Sequence, residues 1–294
     1  MSKLMREATN SATNSATNNV TNNTTASDVT LPQIWHYRTP RARLAIWFAW
    51  LALVALFVWC WQVMNANTMW VFVWDAPTQA ADIASRMFPP RWGYINELWW
   101  PLWDTLNIAT LGTLGGIAMA VPVAFLAARN TTPSVLFVRP VALAIIVASR
   151  SINSLIWALL LVAIIGPGLF AGIIAIALRS IGFIGKLLYE AIEEIDHNQV
   201  EAVSATGASS AQVMHYGIVS QVMPAFLGIS VFRWDINIRE STILGLVGAG
   251  GIGLQLQASL NVLAWPQVTL ILLVILATVV ASEWVSAKVR GALI

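Results

Sequence analysis

Long apolar runs alternate with short polar breaks along most of the chain. Such runs cover residues 44–65, 104–128, 140–165, 168–187, 217–237 and 267–287. Each is close to the ~20 residues that an α-helix needs to cross the hydrocarbon core of a bilayer, although the fourth and fifth carry charged side chains. The pattern predicts an all-α membrane protein with about six transmembrane helices. Residues 240–260 are apolar but broken by glycines. They are expected to form a bent or re-entrant segment packed inside protein, where irregular backbone is tolerated.

The polar breaks set an orientation. Arg38, Arg41 and Arg43 precede the first run, Arg129 and Arg139 flank the break after the second, Lys186 ends the fourth, and Lys288 and Arg290 follow the sixth. Cytoplasmic loops are enriched in Lys and Arg, and six crossings put all these groups on one side, so both termini are expected in the cytoplasm. Residues 34–103 would hold the first transmembrane helix and a periplasmic amphipathic segment, with an interfacial belt of Trp92, Trp99, Trp100 and Trp103. Residues 104–294 would form the main transmembrane domain, with its longest cytoplasmic connection at about 186–216. Residues 1–33 include the low-complexity stretch "ATNSATNSATNNVTNNTTAS", too poor in apolar surface to offset ordering entropy, and are expected to be a disordered tail.

Composition narrows the class. Hydrophobic residues make up 57% of the chain and charged residues 10%, against ~25% charged in an average soluble domain. A net charge of +2 gives no basic face for nucleic acid. The single cysteine, Cys60, rules out an intramolecular disulfide and a Cys-rich metal centre. His36, His197 and His215 have no metal-ligand spacing, so no metal site is expected.

One break departs from the basic rule. "YEAIEEIDHNQVEAVSATGASS" (Tyr189 to Ser210) carries Glu190, Glu193, Glu194, Asp196 and Glu201. A short helix is expected to start at Asn198 or Gln199 and end near Gly207, with Ser209 or Ser210 capping the next. An amphipathic helix resting on anionic lipid would carry Lys and Arg, so the acidity points to a protein partner.

The same stretch carries a resemblance. "EAVSATGASSAQVMHYGIVSQVMP" (Glu201 to Pro224) resembles the Glu-Ala-Ala motif of ABC importer permeases, with Val203 in place of the second Ala and Ser220 where Pro is usual. In that family the motif forms a coupling helix that docks on a cytoplasmic ATPase. The resemblance implies that role for Glu201, Ala202, Val203 and Gly207. "FRWDINIRESTILGLVGAGGIG" (Phe232 to Gly253), "SRSINSLIWALLLVAIIGPG" (Ser149 to Gly168) and "SIGFIGKLLYEAIEEID" (Ser180 to Asp196) are similar to phosphonate- and phosphite-type permeases. Many of those carry Glu where Ser154 stands here. The resemblance implies a type I importer fold like that of methionine permeases, in the bacterial inner membrane. It also implies a second copy of the chain, an ATPase dimer that binds ATP and Mg, and a periplasmic substrate-binding protein. The expected role is a non-enzymatic subunit moving phosphonate, phosphite or a related phosphorus oxyanion.

The residues agree that energy comes from elsewhere. No G-x-x-x-x-G-K-[ST] is present, and "GAGGIG" matches G-x-G-x-x-G without the strand–helix context of a nucleotide site. Gly248, Gly250, Gly251 and Gly253 are instead expected to serve close packing or a gate. Ionisable residues at membrane depth are usually functional or paired. Arg150, Asn153, Arg179, Arg233, Asn237 and Arg239 are therefore candidates for an anion pathway, because the guanidinium fork suits tetrahedral oxyanions. The competing reading is structural. Asp235 and Arg239 are spaced i,i+4, and Glu240 could neutralise Arg233 or Arg179, so the charges would hold helices together. Other functions remain open at this point: a methionine or metal importer permease, a secondary transporter, for which no inverted repeat is evident, or a membrane scaffold.

Overall fold

Within a bilayer every backbone N–H and C=O must find its partner inside the segment or in a closed barrel, and this chain answers with helices alone among the described residues. The computed structural model describes residues 40–293, with side chains from 42 to 292. The expected tail at 1–33, and with it His36 and Arg38, lies outside the described residues.

The chain divides into two units, one ending at Trp74 and one running from Asp75. The first contains α1 (Pro40–Asn67), an apolar helix with no buried side chain among those described. Its last turn meets the start of α2 (Trp70–Met87) through a hydrogen bond from Trp70 Nε1 to Asn65 Oδ1. In the second unit, the rest of α2 exposes a polar face on which Asp75 accepts hydrogen bonds from Gln79 and Thr78. These hold its carboxyl below the ordinary carboxylate value.

The remaining elements are α3 (Ile95–Ala127), α4 (Val138–Ser151), α5 (Ser154–Ile165), α6 (Leu169–Glu193), α7 (His197–Ala205), α8 (Ser210–Gly245), α9 (Ile252–Asn261) and α10 (Trp265–Leu293). Among the described residues, five helices are long and apolar enough to cross a membrane, and α4 with α5 makes a sixth candidate. The span expected over 140–165 is divided between two helices: α4 and α5 meet at 88°. Asn153 causes the break. Its backbone is extended and its Oδ1 accepts from Leu155 N at 3.2 Å, so it caps a new helix. Apolar counting cannot see a cap.

α3 and α6 form the centre, and α8 packs on both. The α3–α6 crossing is close because Gly112 and Gly116 offer no side chains. A Cβ on them would stand 2.7 Å from Ile176 and 2.5 Å from Ser180, the small-xxx-small geometry of membrane helices. Ile108, Ala158, Ala175, Ile176, Leu244 and Ala249 fill one end of the bundle. Ala124, Ala128, Leu188, Ile192, Ile218 and Val222 fill the other.

The glycine-rich segment is a pinned turn followed by a short helix. α8 ends at Gly245, and α9 has 10 residues, about half of what a crossing needs. Gly248, Gly250 and Gly251 take φ of 90°, 85° and 73°, which side-chain-bearing residues rarely adopt. Thr105 Oγ1 accepts from Ile252 N at 2.8 Å, and Gly168 N donates to the Gly248 carbonyl at 3.0 Å. Gly253 lies against Gly245 and the carbonyl oxygen of Thr242. Gly253→Ala is therefore expected to cost ~1–3 kcal/mol by overpacking two backbones that cannot give way. Thermal unfolding in detergent would check this, with Gly228→Ala as the control, since nothing lies within 4 Å of a Cβ there.

Candidate functional site

The acidic break and the charged stretch of α8 build two adjoining regions. At the break, α7 starts at His197, one residue before the earliest expected start, because Asp196 caps it: its Oδ1 accepts from Asn198 N at 2.9 Å. Gln221 Oε1 accepts from Asp196 N at 3.0 Å and ties this cap to α8. α7 ends at Ala205, and Gly207 turns the chain with a φ of 78°. At the next cap Ser209 N donates to Gln212 Oε1 at 2.8 Å. The first turns of α8, Val213–Val219, then run with π-helical bonding, a register often found at functional sites.

The five carboxylates separate by use. Glu190 pairs with Lys186 at 3.5 Å, Glu193 with Arg139 at 3.2 Å, and Asp196 is the cap. Glu194 and Glu201 are exposed and take no hydrogen bond or ion pair from a described residue. Three of the five acids read from the sequence as partner-facing are thus engaged by the chain's own groups, although only Glu193 is largely shielded. What faces out beside Glu201 is a groove of about 650 Å³ lined by Ala202, Val203, Thr206, Gly207, Ala208, Gln212 and Tyr216.

Deeper in the bundle, α8 carries charges on two opposite faces. On the first, Arg233 is 1% exposed. Its Nε donates to Ser180 Oγ at 3.1 Å, and its Nη atoms reach the Glu240 carboxylate at 3.4 and 3.3 Å. The guanidinium also sits 5.2 Å from the Phe183 ring centre, within cation–π range. Glu240 receives Arg179 of α6 as well, at 3.4 Å, so one carboxylate serves two arginines. Asn237 is fully buried and donates to Thr113 Oγ1 at 2.7 Å and to Ser180 Oγ at 3.1 Å. On the second face, Asp235 pairs with Arg239 at 3.0 Å and accepts from Ser282 Oγ of α10 at 2.7 Å.

The six pathway candidates therefore divide. Arg233 and Asn237 lie inside the helix packing. Arg239 is half-exposed and Arg179 about one-third exposed. Arg150 and Asn153 are exposed, at the α4–α5 break. Arg179 reaches this break too, since its Nη1 donates to the Ile152 carbonyl at 3.3 Å. The Arg150 stem lies over Gly182, where a Cβ would stand 2.6 Å from its Cγ. Arg150 makes no hydrogen bond or ion pair with a described residue. Four arginines against Asp235 and Glu240 leave this region with an excess of two positive charges.

Sequence reading missed Thr113, Ser180, Phe183 and Ser282, the partners that orient these charges. The glycines at 112 and 116 were a usable signal for the α3–α6 crossing, but isolated hydroxyls in apolar runs carry none. Among the described residues no group of three or more His, Cys, Asp or Glu could hold a metal ion.

Residues 120–287 match the family described as binding-protein-dependent transport system inner membrane component. The chain is 39% identical over 233 residues to the phosphite transport system permease protein PtxC of Stutzerimonas stutzeri, covering 79% of this chain and 83% of that one. It is 39% identical over 220 residues to the phosphate-import permease protein PhnE of Mycolicibacterium smegmatis, covering 75% of this chain and 41% of that one. In fold it is similar to a chain of the inward-facing MetNI methionine ABC transporter. The TM-score is 0.58 at 21% identity, over 67% of this chain and 96% of that one.

Proposed function

The chain belongs to the binding-protein-dependent transport system inner membrane components, and from that premise we propose that it carries phosphite, phosphonate or a related phosphorus oxyanion through an ATP-driven importer. It is the membrane-spanning, non-catalytic subunit of such a system, a multi-pass protein of the inner membrane. Family membership implies a binding protein and an ATPase as partners. The finer reading is that two copies form the path, α7 faces the cytoplasm and docks on the ATPase dimer, and the binding protein delivers cargo at the opposite end. ATP and Mg belong to the ATPase. ATP-driven closure would displace α7 and favour one of two states of the path, and hydrolysis would restore the other.

The observation that carries the oxyanion reading is Arg150, an unpaired cation beside a broken helix. Counted from the start of α4 it lies ~18 Å along the helix at ~1.5 Å per residue, which would be near the middle of a ~30 Å core were α4 to start at the core's edge and run across it. An unpaired guanidinium at that depth is costly unless an anion visits it. Asn153 beside it and the half-shared Arg179 extend the same donor surface. The named cargo of the phosphite and phosphate permeases above is of this chemical class. Arg233 and Asn237 act one layer behind, holding Ser180, Thr113 and Glu240 in place.

The test is reconstitution of the chain with its ATPase and binding protein in nanodiscs. ATP hydrolysis is then measured with phosphite, methylphosphonate, phosphate and methionine. Stimulation by one phosphorus oxyanion is expected. Stimulation by methionine alone would keep the permease and discard the anion path. Arg150→Gln is expected to lower uptake at least tenfold with assembly intact, since one charge-assisted hydrogen bond contributes ~1.5–3 kcal/mol and 1.4 kcal/mol is about tenfold. Normal uptake would remove Arg150 from the path.

A further inference from the structure

The break between α3 and α4 is knotted to the last turn of α6. Glu193 Oε1 accepts from the Arg129 backbone N at 2.9 Å and from Arg139 Nη2 at 3.2 Å. Asn130 Nδ2 donates to the Ile192 carbonyl at 2.9 Å, and Arg139 Nε donates to the Ala127 carbonyl at 3.0 Å. The Arg139 and Glu193 side chains are 17% and 26% exposed, so solvent and salt screen this pair far less than one on an open surface.

A second set of bonds holds the opposite end of α4 to α6. Arg179 Nη1 donates to the Ile152 carbonyl at 3.3 Å, Ser149 Oγ donates to the Leu178 carbonyl, and Gly182 N donates to Ser149 Oγ at 2.9 Å. Between the two sets the helices nearly touch, and a Cβ on Gly182 would stand 2.6 Å from the Ile146 carbonyl oxygen. α4 and α6 thus make one antiparallel rod, bonded at both ends. One end leads directly into α7, whose cap Asp196 is three residues past Glu193. The other end carries Arg150 and the break at Ile152–Asn153.

We propose that the Glu193–Arg139 pair is a latch that makes α4 move with α7, so that displacement of α7 is delivered to Arg150 and Asn153. Glu193 and Arg139 are positioning residues in this scheme and touch neither cargo nor ATPase. The proposal rests on the reading of α7 as the ATPase-docking element and of Arg150 and Asn153 as path groups. The physical need is direction. Without the pair, the first turns of α4 keep the Arg139 Nε bond to the Ala127 carbonyl of α3 but meet α6 mainly through apolar contacts around Ala142 and Ile146, and apolar contact is non-directional. It holds helices together without fixing their register. Charge-assisted hydrogen bonds at both ends fix it, and a rigid element with two discrete positions is what transmits coupling.

The experiment uses the complete complex with its ATPase and binding protein in proteoliposomes, with phosphite as the probe. Phosphite accumulated per ATP hydrolysed is read beside the hydrolysis rate and the unfolding temperature. Glu193→Gln and Arg139→Met are each expected to assemble and hydrolyse ATP as the unaltered complex does, while phosphite moved per ATP falls at least fivefold. Arg139→Lys, which keeps the charge, is expected to recover part of that loss. Lys186→Gln, which breaks a more exposed pair on the same helix, should leave the ratio unchanged. An unchanged ratio in Glu193→Gln and Arg139→Met overturns the latch. So does a fall in transport that merely follows loss of assembly or a lowered unfolding temperature. If the unaltered complex moves none of phosphite, methylphosphonate and phosphate, the functional reading falls and takes the latch with it. If it moves one of them and both variants match it, only the latch falls.

Discussion

Glu240→Gln is expected to destabilise the chain by ~3–5 kcal/mol, because removing one member of a buried ion pair leaves an uncompensated charge. Glu240 is the one carboxylate bonded to both Arg179 and Arg233, and the Arg233 side chain is 2% exposed. Gln offers an acceptor but no charge, so Arg233 would keep Ser180 and the Phe183 face and lose its counter-ion. Thermal unfolding in detergent and the yield of folded protein in membranes are the measurements. The double variant Glu240→Gln, Arg233→Met should recover much of the loss, because an apolar side chain of similar length asks for no counter-ion. A single variant as stable as the parent would mean that water or lipid headgroups reach Arg233, and the buried triad would cease to explain how α6 and α8 are held.

Glu201→Lys is expected to have the largest effect on transport while leaving the chain folded. Glu201 is exposed and has no described partner to lose, so stability should be unchanged. On the proposed docking of α7 against a basic ATPase surface, the picture differs. Placing like charges opposite one another costs several kcal/mol, and even ~3 kcal/mol is a little over a hundredfold in affinity. The chain should then insert normally, fail to retain the ATPase at concentrations that saturate the unaltered protein, and show no cargo-stimulated hydrolysis. Co-purification with the tagged ATPase reads this directly. Retention and normal stimulation would take Glu201 out of the interface and leave the Ala202–Tyr216 groove as the contact. Glu194, the other unpaired acid of the break, is the natural comparison: reversal there tests whether charge in general or Glu201 in particular is recognised.

Several parts of this protein were legible from the residue order alone, and each for a local reason. Runs of ~20 apolar residues must be helical in lipid because no other backbone state satisfies its own polar groups there. Hence α1, α3, α6, α8 and α10 could each be placed, although their ends miss by as much as nine residues, at the start of α3. Gly207 and Ser209 marked the end of one helix and the start of the next, since both act through their own neighbouring backbone. The i,i+4 spacing of Asp235 and Arg239 anticipated their ion pair in the same way. The motif around Glu201 carried the family resemblance, because it is a contiguous surface.

Tertiary structure decided what depends on residues far apart in the chain. Polar residues at 149–151 and 153–154 interrupt the 140–165 run in the sequence, but the 88° between α4 and α5 does not follow from them; Arg179 of α6 bonds to the break itself, at the Ile152 carbonyl. Glu193 looked available to a partner until Arg139, 54 residues away in the chain, was brought against it. Arg150 and Arg233 were both read from the sequence as candidates for the same anion pathway. Only the packing distinguishes them: Ser180, Phe183 and Glu240 enclose one, and the bare surface of Gly182 leaves the other exposed at the break. An apolar pattern specifies that a segment is buried in lipid or protein, but which face meets which neighbour is settled by close contacts such as Gly112 against Ile176. Those contacts form between segments whose order along the chain says nothing about their distance.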